Sequence, residues 1–503
     1  MKQHIKYIAA AVLLFASTAC KKSFLDINQN PNQVLSATPD AILPAALNRT
    51  DSLYINGYNV YGGWTVGYWA KTGTVNGYDA ERTYTYTNSS YQSLWNSTYD
   101  VLNDLELLES SAASLGQTNY EAIAKIVKVF NFQLLVDEYG NIPYTNALKG
   151  QANLSPAYDK AEDVYKDLIV QLDKAIALID AATANTIPVD ATKDFIFNGD
   201  MSAWKKYANT LKLRILLRQS QVPALSAYLT AEFARLPTAS SAYITDDVSG
   251  NPGYVQSAGK LNPFWESYYR SAANNATSNS KYVRGTTYAI QQYQQSVNDN
   301  RLSRIYTKVN NVYVGAVLGD QNPLAHAKLS EFGTGIFKAY NAPAVILLAA
   351  ESYFLQAEAK ARGLLGGGDG KAEYQQGIRK SFAYFYKSGL NADAATIDAD
   401  AYINGNGGNK LIDWNTSVNK QETIIYQKWL ALNSINSIEA WSEYRRTGYP
   451  ANVPASLESV STRPDKLPVR LLYPQTEIST NPTNVAAQGA INQFTSRIFW
   501  DID

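Results

Sequence analysis

The stretch that most constrains this chain is 122–144, AIAKIVKVFNFQLLVDEYGNIPY, because as a helix it would be apolar on nearly every side. Two sets of apolar side chains recur at helical spacing on different faces: Ile123, Ile126, Val127, Phe130 and Leu134 on one face, and Val129, Phe132 and Val136 on the other. A helix with two apolar faces needs neighbours on both sides to cover them. The sequence therefore predicts a core helix that is enclosed by other elements.

The carboxyl end of this helix conflicts with the helix dipole. Gly140 can adopt the left-handed conformation that ends a helix, and a proline follows shortly after it. Asp137 and Glu138 fall in the last turn, where the dipole disfavours negative charge. Either these carboxylates face solvent or a cation from elsewhere in the chain pairs with them. Arg445 and Arg446, in the last turn of a later predicted helix, are the candidate partners.

The beginning of the chain has the pattern of a targeting segment. Lys2 and Lys6 give a positive start, an apolar run follows at 8–16, and three small residues then lead to Cys20. The run is too short to span a bilayer, and no later segment has eighteen consecutive apolar residues. We therefore expect the mature protein to be held at a membrane without spanning it.

Cys20 is the only cysteine in the chain, so it has neither a disulfide partner nor a companion for a metal site. A lone cysteine directly after such a segment resembles a bacterial lipobox, in which cleavage exposes the cysteine for lipidation. We predict a lipoprotein signal peptide at 1–19, lipidation of Cys20 and a linker at 20–38, with the lipid as the membrane anchor. The alternative is an ordinary secretory signal followed by an incidental cysteine.

Amphipathic helices recur along the rest of the chain. Apolar residues at helical spacing predict helices at 39–54, 90–109, 157–179, 201–220, 345–362, 372–387 and 421–446. The loop 363–370, GLLGGGDG, lacks the Lys-Ser/Thr pair of a phosphate-binding loop and is interpreted as a helix-to-helix turn. The spacing around it is reminiscent of a tetratricopeptide unit. We predict an all-α protein with tetratricopeptide-like hairpins near 118–220 and 343–446.

Two segments, near 57–91 and 237–324, are rich in glycine, polar and aromatic residues and are predicted to be irregular. Insertions of this kind on a helical scaffold commonly carry function. Flat rings stack on sugar faces, while amide and charged groups bind hydroxyls. The ligand-binding candidates are therefore Trp64, Trp69, Tyr78, Trp265, Tyr268 and Arg270. The alternative for each ring is core packing, which we expect of Trp204, Trp429 and Trp441 on helical apolar faces.

Composition argues against several classes of function. With 44 basic and 44 acidic residues, no charge excess points to nucleic acid. His326 is the only histidine beyond the signal peptide, so histidine-based catalysis and Cys/His metal sites lack the residues they need. No spacing singles out a carboxylate pair for glycoside hydrolysis. We expect a binding protein that is not an enzyme, and we assign no cofactor and no metal-ligating residues. The sequence does not decide whether a calcium ion is bound.

Six phrases in chain order resemble those of one family, the SusD/RagB-like nutrient-binding lipoproteins of the Bacteroidota outer membrane. They are FLDINQNPN after the lipobox, DEYGNIPY at 137–144, WKKYANTLKLR at 204–214, AESYFLQAEAKARG at 350–363, QKWLAL with EAWSEYRRTGYP at 427–450, and RLLYPQTEISTNPTN at 470–484. Together they cover essentially the whole chain. The resemblance implies a single α-helical domain at 39–503, in which helix pairs support a less regular ligand-binding half.

The resemblance also implies a function. Such a protein captures glycan or peptide at the cell surface and acts as the lid of a partner TonB-dependent, SusC-like outer membrane transporter. Lys21 and Lys22 stand where surface-exposed members often carry acidic residues, so the outward orientation rests on the resemblance. The residues do not separate glycan from peptide. The competing hypothesis is a tetratricopeptide-like scaffold lipoprotein that assembles envelope proteins and binds no nutrient.

Overall fold

The computed structural model describes residues 38–386 and 392–501. The predicted signal peptide at 1–19, the lipidation site Cys20 and nearly all of the linker at 20–38 lie outside these ranges. The prediction of the lipid anchor therefore stays a prediction.

Helices make up most of the regular structure in the described ranges. The α-helices are α1 Pro39–Leu53, α2 Asn59–Thr65, α3 Asp79–Thr83, α4 Gln92–Ser114, α5 Thr118–Tyr139, α6 Ala161–Asp180, α7 Met201–Arg218, α8 Ser226–Ala234, α9 Pro263–Tyr268, α10 Ser278–Tyr282, α11 Thr287–Gln294, α12 Leu302–Ile305, α13 Ala349–Ala361, α14 Lys371–Tyr386, α15 Ala392–Gly405, α16 Lys420–Leu432, α17 Ser437–Thr447, α18 Gln475–Thr480 and α19 Pro482–Ala486. A π-helical turn, Tyr54–Tyr58, joins α1 to α2 without a break.

The strands are short and pair only in twos. They are β1 Trp69–Lys71, β2 Ile142–Pro143, β3 Tyr158–Asp159, β4 Val248–Gly250, β5 Val283–Gly285 and β6 Ala344–Leu347. In the described part of the chain the pairs are β1 with β5, β2 with β3 and β4 with β6, all antiparallel. Pairs of this size do not form a sheet layer, so the predicted all-α class is confirmed. Their role is to fix irregular segments to one another and to the helices.

Helix α5 is the core helix that the sequence predicts. Along it only Thr118, Glu121, Lys125 and Lys128 are not buried. Helices α4 and α6 pack along two sides, and α7 contacts a third. Its two apolar faces are therefore both covered, as expected for a helix with so little polar surface.

Helices pack in consecutive pairs in both predicted hairpin regions. Helix α6 lies between α5 and α7, and α14 lies between α13 and α15. The turn from α13 to α14 contains Gly363 and Gly370, whose φ angles of 68° and 87° are in the left-handed region. Glycine adopts these angles without the steric cost that other residues meet, so the glycine-rich loop is the helix-to-helix turn that was expected.

The helix predicted at 421–446 is interrupted and forms α16 and α17. Ser434, between them, has a φ of 63°. Asn433 and Asn436 each donate a side-chain hydrogen bond of 2.9 Å to a buried tyrosine hydroxyl. Short polar side chains that find partners outside the helix favour its interruption, and these partners come from distant parts of the chain.

The helix predicted at 345–362 begins later than expected. Residues Ala344–Leu347 form strand β6, which pairs with β4, and α13 starts at Ala349. An apolar run of this length fits a buried strand as well as a helix. The pairing with β4 decides between the two structures, and periodicity contains no signal of it.

The acidic end of α5 is buried and paired with cations, as predicted. Arg445 Nη2 donates to Glu138 Oε1 at 2.6 Å, and Arg218 Nη1 lies 3.3 Å from Asp137 Oδ2. Burial, only partly offset by Arg445, raises the pKa of Glu138 to about 7. Arg446, the other candidate partner, forms its ion pairs elsewhere in the core. The partner of Asp137 comes from α7, which the sequence did not indicate.

Candidate functional site

Strands β1 and β5 bring the two predicted insertions together. Their register places Trp69 opposite Gly285 and Lys71 opposite Val283. Helix α9 packs against the same region, since Trp69 also contacts the rings of Phe264 and Tyr268. The aromatic residues of both segments therefore form one cluster.

The indole of Trp69 lies at the centre of this cluster. It stacks on Phe264 with ring centroids 6.1 Å apart, and it contacts Tyr268 at 5.4 Å and Phe332 at 6.1 Å. Its N–H donates to the hydroxyl of Ser434 at 2.9 Å. With 1% of its surface exposed, the ring offers no face to a ligand.

Trp64 lies edge-to-face beside Trp69, with centroids 6.1 Å apart, and is equally buried. Gly63 permits this approach, because a Cβ there would lie 2.7 Å from the Trp69 ring. On its other side Trp64 contacts the ring of Tyr78 at 4.9 Å. The burial of both indoles revises the sequence prediction. Trp64 and Trp69 pack against Tyr78 and Tyr268 from inside the protein and present no face to a ligand.

Tyr78 and Tyr268 form the accessible side of the cluster and are both half-buried. The hydroxyl of Tyr78 donates to Asn279 Oδ1 at 2.9 Å, which ties α3 to α10. Burial and the charge of Glu81 raise the pKa of Tyr78 to about 12. Burial also raises the pKa of Tyr268. Both hydroxyls are therefore protonated at neutral pH. The O–H of Tyr78 is engaged with Asn279, and that of Tyr268 can donate to a ligand.

A second row of rings continues from Tyr268 along α9. Trp265 meets Tyr269 edge-to-face at 4.6 Å, and Tyr269 stacks on Phe337 at 4.9 Å. The guanidinium of Arg270 lies 5.1 Å from the centroid of the Tyr269 ring. Trp265, Tyr268 and Arg270, which the sequence predicts as ligand-binding residues, are thus neighbours on one half-buried surface. We call this surface, with Tyr78 and Tyr269, the tyrosine surface.

Asn262 fixes where this row begins. Its side-chain oxygen accepts hydrogen bonds of 3.0 Å from the amides of Phe264 and Trp265, and Pro263 occupies the first helical position. This is the usual arrangement of a capped helix start. The cap sets the direction of α9 and, with it, the positions of the rings that follow.

Several polar groups on the tyrosine surface have no hydrogen-bond partner among residues 38–386 and 392–501. They are the indole N–H of Trp265, the hydroxyls of Tyr268 and Tyr269, and Nε and Nη2 of Arg270. The remaining nitrogen of Arg270, Nη1, donates to the carbonyl of Asn274 at 2.9 Å. The surface therefore combines ring faces with groups that can bind hydroxyls or anions.

Two clefts flank the tyrosine surface. One, of about 450 Å³, runs past the loop that holds Tyr78 and is lined by the polar residues Lys71, Asn76, Asp79, Arg82, Asp320 and Gln321. The other, of about 410 Å³, lies between α1 and α4 and reaches Asn56. Asn56 donates to the hydroxyl of Ser267, beside Tyr268, at 3.0 Å. Clefts of this size are in the range of small-ligand sites.

Sequence reasoning missed three residues of this region: Tyr269, Asn279 and Arg284. The Tyr-Tyr doublet at 268–269 was visible in the sequence, but only the short helix α9 shows that both rings reach the surface. Asn279 and Arg284 carry no signal of their own, because their roles depend on the β1–β5 pairing.

Two structural findings bear on the function. In the described part of the chain, no group of three or more His, Cys, Asp and Glu side chains is arranged to hold a metal ion. Among the helices at 38–386 and 392–501, none is long and apolar enough to cross a membrane.

Solved structures resemble this chain over nearly its whole length. A chitin-binding protein superposes with a TM-score of 0.74 at 24% identity, covering 93% of this chain and 100% of its own. A chitin-binding SusD homolog from Flavobacterium johnsoniae gives a TM-score of 0.68 at 22% identity, covering 92% and 99%. A SusD homolog from Bacteroides fragilis gives 0.71 at 21% identity, covering 93% and 99%. At these identities the likeness establishes the fold.

Comparison by sequence gives the family. No curated protein matches the chain. The SusD-like family model, described as "Starch-binding associating with outer membrane", matches residues 31–474. Because this match spans far more than half of the sequence, the protein belongs to the SusD-like family.

Proposed function

We propose that this protein is a lipid-anchored protein of the outer membrane surface that captures a glycan on the tyrosine surface. It delivers the glycan to a partner TonB-dependent, SusC-like transporter, for which it acts as the lid. The family description, which names starch binding and association with the outer membrane, supports the ligand class and the location. Two of the similar structures are of chitin-binding proteins, which also favours a glycan. Peptide is the competing ligand class.

The observation that carries the proposal is that Tyr78 and Tyr268, both half-buried, pack on the adjoining indoles of Trp64 and Trp69. These residues come from different insertions, and β1–β5 pairing and the buried indoles of Trp64 and Trp69 hold them together. Sugar rings present C–H faces and hydroxyls, which match ring faces and free polar groups respectively.

Replacing Tyr268 with alanine tests the surface. We expect the affinity for the bound glycan to fall about two- to tenfold, because an aromatic contact is worth about 0.5–1.5 kcal/mol and about 1.4 kcal/mol corresponds to a factor of ten. Isothermal titration calorimetry of the wild type against starch oligosaccharides, chitin oligosaccharides and peptides first identifies a ligand. Quenching of tryptophan fluorescence gives an independent signal, since Trp265 lies half-buried on the same surface.

Tyr228→Ala is the matched control. Tyr228 is a half-buried tyrosine on α8, in the helix-pair region, and its ring contacts Lys166. Its removal should leave glycan affinity at the wild-type value. Binding of peptides alone would assign the surface to the competing ligand class. If neither glycans nor peptides bound, and affinity purification from membranes recovered no TonB-dependent transporter, the scaffold hypothesis would replace the proposal.

A further inference from the structure

A small pocket opens beside the tyrosine surface, between α9 and β5. Its walls include the rings of Tyr268 and Tyr269 and the charged side chains of Arg270, Arg284 and Glu331. Its volume is about 50 Å³, and since a buried water needs about 10–15 Å³ on this measure, it has room for a few waters. A carboxylate fits such a space, whereas a whole sugar ring does not. We call it the arginine pocket.

Arg284 forms the buried wall of the arginine pocket, with 2% of its surface exposed. Its Nη1 donates to the carbonyl of Val283 at 2.9 Å and also to the carbonyl of Ser280. Its Nη2 lies 3.3 Å from Glu331 Oε1, and its Nε has no hydrogen-bond partner among the described residues. A charged donor that is buried without a partner is unfavourable, so Arg284 has hydrogen-bonding capacity that the described residues leave unused.

Arg270 forms the opposite, half-exposed wall of the pocket. It makes no ion pair with the described residues, and its Nε and Nη2 are free of hydrogen bonds to them. The contact with the Tyr269 ring and the bond from Nη1 to Asn274 hold the guanidinium in place. Arginine presents its donors in a planar fork that matches a carboxylate. With Nη1 held by Asn274, Arg270 keeps Nε and Nη2 free and oriented to bind an anion.

The charges around the pocket do not balance. Arg270 and Arg284 contribute two positive charges against one negative charge from Glu331. Glu331 is a weak counter-ion, because its side chain is 60% exposed and water screens its interaction with Arg284. Burial lowers the pKa of Arg284 despite Glu331, which agrees with incomplete compensation of its charge. The guanidinium still remains charged at neutral pH.

We propose that the arginine pocket binds the carboxylate of an acidic sugar, so that the ligand is a glycan containing uronic acid. The inference rests on the proposed glycan-binding function and narrows its ligand class. A sugar ring packed against Tyr268 directs a carboxylate into the adjoining pocket, between Arg270 and Arg284. Neutral glycans of the same backbone bind the rings alone and lack this contact.

The test uses ligand pairs that differ only in charge. Oligosaccharides of pectin, alginate and the glycosaminoglycans are each compared with their carboxyl-reduced forms, in which every uronic acid has become a neutral hexose. Starch and chitin oligosaccharides complete the panel. Calorimetry with the wild-type protein should show at least one acidic glycan that binds about tenfold or more tightly than its reduced form. The preference should weaken as salt rises from 0.05 to about 0.5 M, since screening grows with ionic strength.

Substitutions of the two arginines test whether the pocket causes the preference for acidic over carboxyl-reduced glycans. In Arg284→Gln and in Arg270→Gln the ratio of acidic to reduced affinities should fall towards one. Arg284 is buried, and its replacement could disturb the fold. Arg270 is only half-buried, so the Arg270→Gln variant tests the pocket independently of that risk. Lys281→Gln is the control, because Lys281 is an exposed cation in the same segment that does not line the pocket. This variant should keep the wild-type ratio.

The other outcomes separate the inference from the proposed function. Equal affinity for acidic and reduced forms, or binding of starch or chitin alone, overturns the acidic ligand and leaves the glycan-binding function intact. A preference for sulfated over carboxylated chains would show that the pocket binds sulfate, and it would overturn the proposal that the ligand contains uronic acid. Binding only of peptides with a free terminal carboxylate, with no glycan bound, overturns both proposals.

Discussion

At the scale of single residues, two glycines decide how closely the first insertion packs on the helical core. Gly63 lets the indole of Trp69 lie against α2. Gly62 faces α17, where a Cβ would overlap the backbone of Ser437 and Ile438. Backbone atoms cannot move aside as the end of a flexible side chain can, so α2 and α17 can be this close only with glycine at position 62.

Gly62→Ala should therefore destabilise the protein. We expect the free energy of unfolding to fall by about 3 kcal/mol, the upper part of the range for overpacked cores. Urea denaturation followed by circular dichroism measures the change. Gly77→Ala is the control, since the nearest atom to its Cβ would be Val75 Cγ2 at an ordinary 3.8 Å. Equal stability of the two variants would show that α2 and α17 separate at low cost.

At the scale of elements, a buried ionic network joins helices α5, α7, α13, α16 and α17. Arg446 from α17 binds Glu358 of α13 through two parallel hydrogen bonds of 2.7 and 2.6 Å. It also pairs with Glu443, which lies 3.2 Å from Lys428 Nζ of α16. Removing one partner from a buried network of this kind leaves another charge buried and unpaired, which is strongly destabilising.

Glu443 should give this network a pH dependence. Burial opposes ionisation of Glu443, but the charges of Arg446, Lys428 and Arg218 outweigh it and hold its pKa well below the usual 4.5. A carboxyl whose pKa is lower in the folded state stabilises the fold above pH 4.5, and this stabilisation is lost as the pH falls below that value. Glu443→Gln should cost about 3–5 kcal/mol at pH 7 and should flatten the loss of stability below pH 4.5.

Thermal and chemical unfolding between pH 3 and pH 8 measures both effects. Glu162→Gln is the matched control, because Glu162 pairs with Lys166 on the surface, where both side chains are over a third exposed. Surface pairs contribute about 0–1 kcal/mol, so this variant should follow the wild type. If Glu443→Gln lost as much stability in acid as the wild type, another carboxyl group would be the cause of the acid sensitivity.

At the scale of the whole molecule, the proposed function depends on where the protein is held. Cys20→Ala should release it from the membrane fraction, because lipidation would lose its only cysteine. Fractionation followed by immunoblotting measures the distribution. Ser23→Ala, three residues further on, is the control and should stay with the membranes. Retention of the Cys20 variant would contradict the lipid anchor.

The helical core could be predicted from the sequence to a useful depth. The double apolar face of 122–144 is a local pattern, and it required a helix covered on both sides, which α5 is. The acidic end indicated either solvent or a cationic partner, with Arg445 as a candidate, and Arg445 does pair with Glu138. Both inferences succeed because helical periodicity and the helix dipole act over a few turns. The breaks at Ser434 and before Ala349 depend on distant partners and were missed.

The ligand surface was predictable only in part. Sequence composition indicated which two insertions carry the rings, and the tertiary structure decided which rings remain accessible. Trp69 and Tyr268 are both large aromatic residues in polar surroundings, but β1–β5 pairing buries the first and leaves the second half-exposed. The same pairing buries Arg284 while Lys281 stays in water. The sequence by itself determined the helices and their apolar faces, because these follow from contacts between near neighbours. Burial of a ring or a charge is a property of segments that meet across the fold, so only the tertiary structure could decide it.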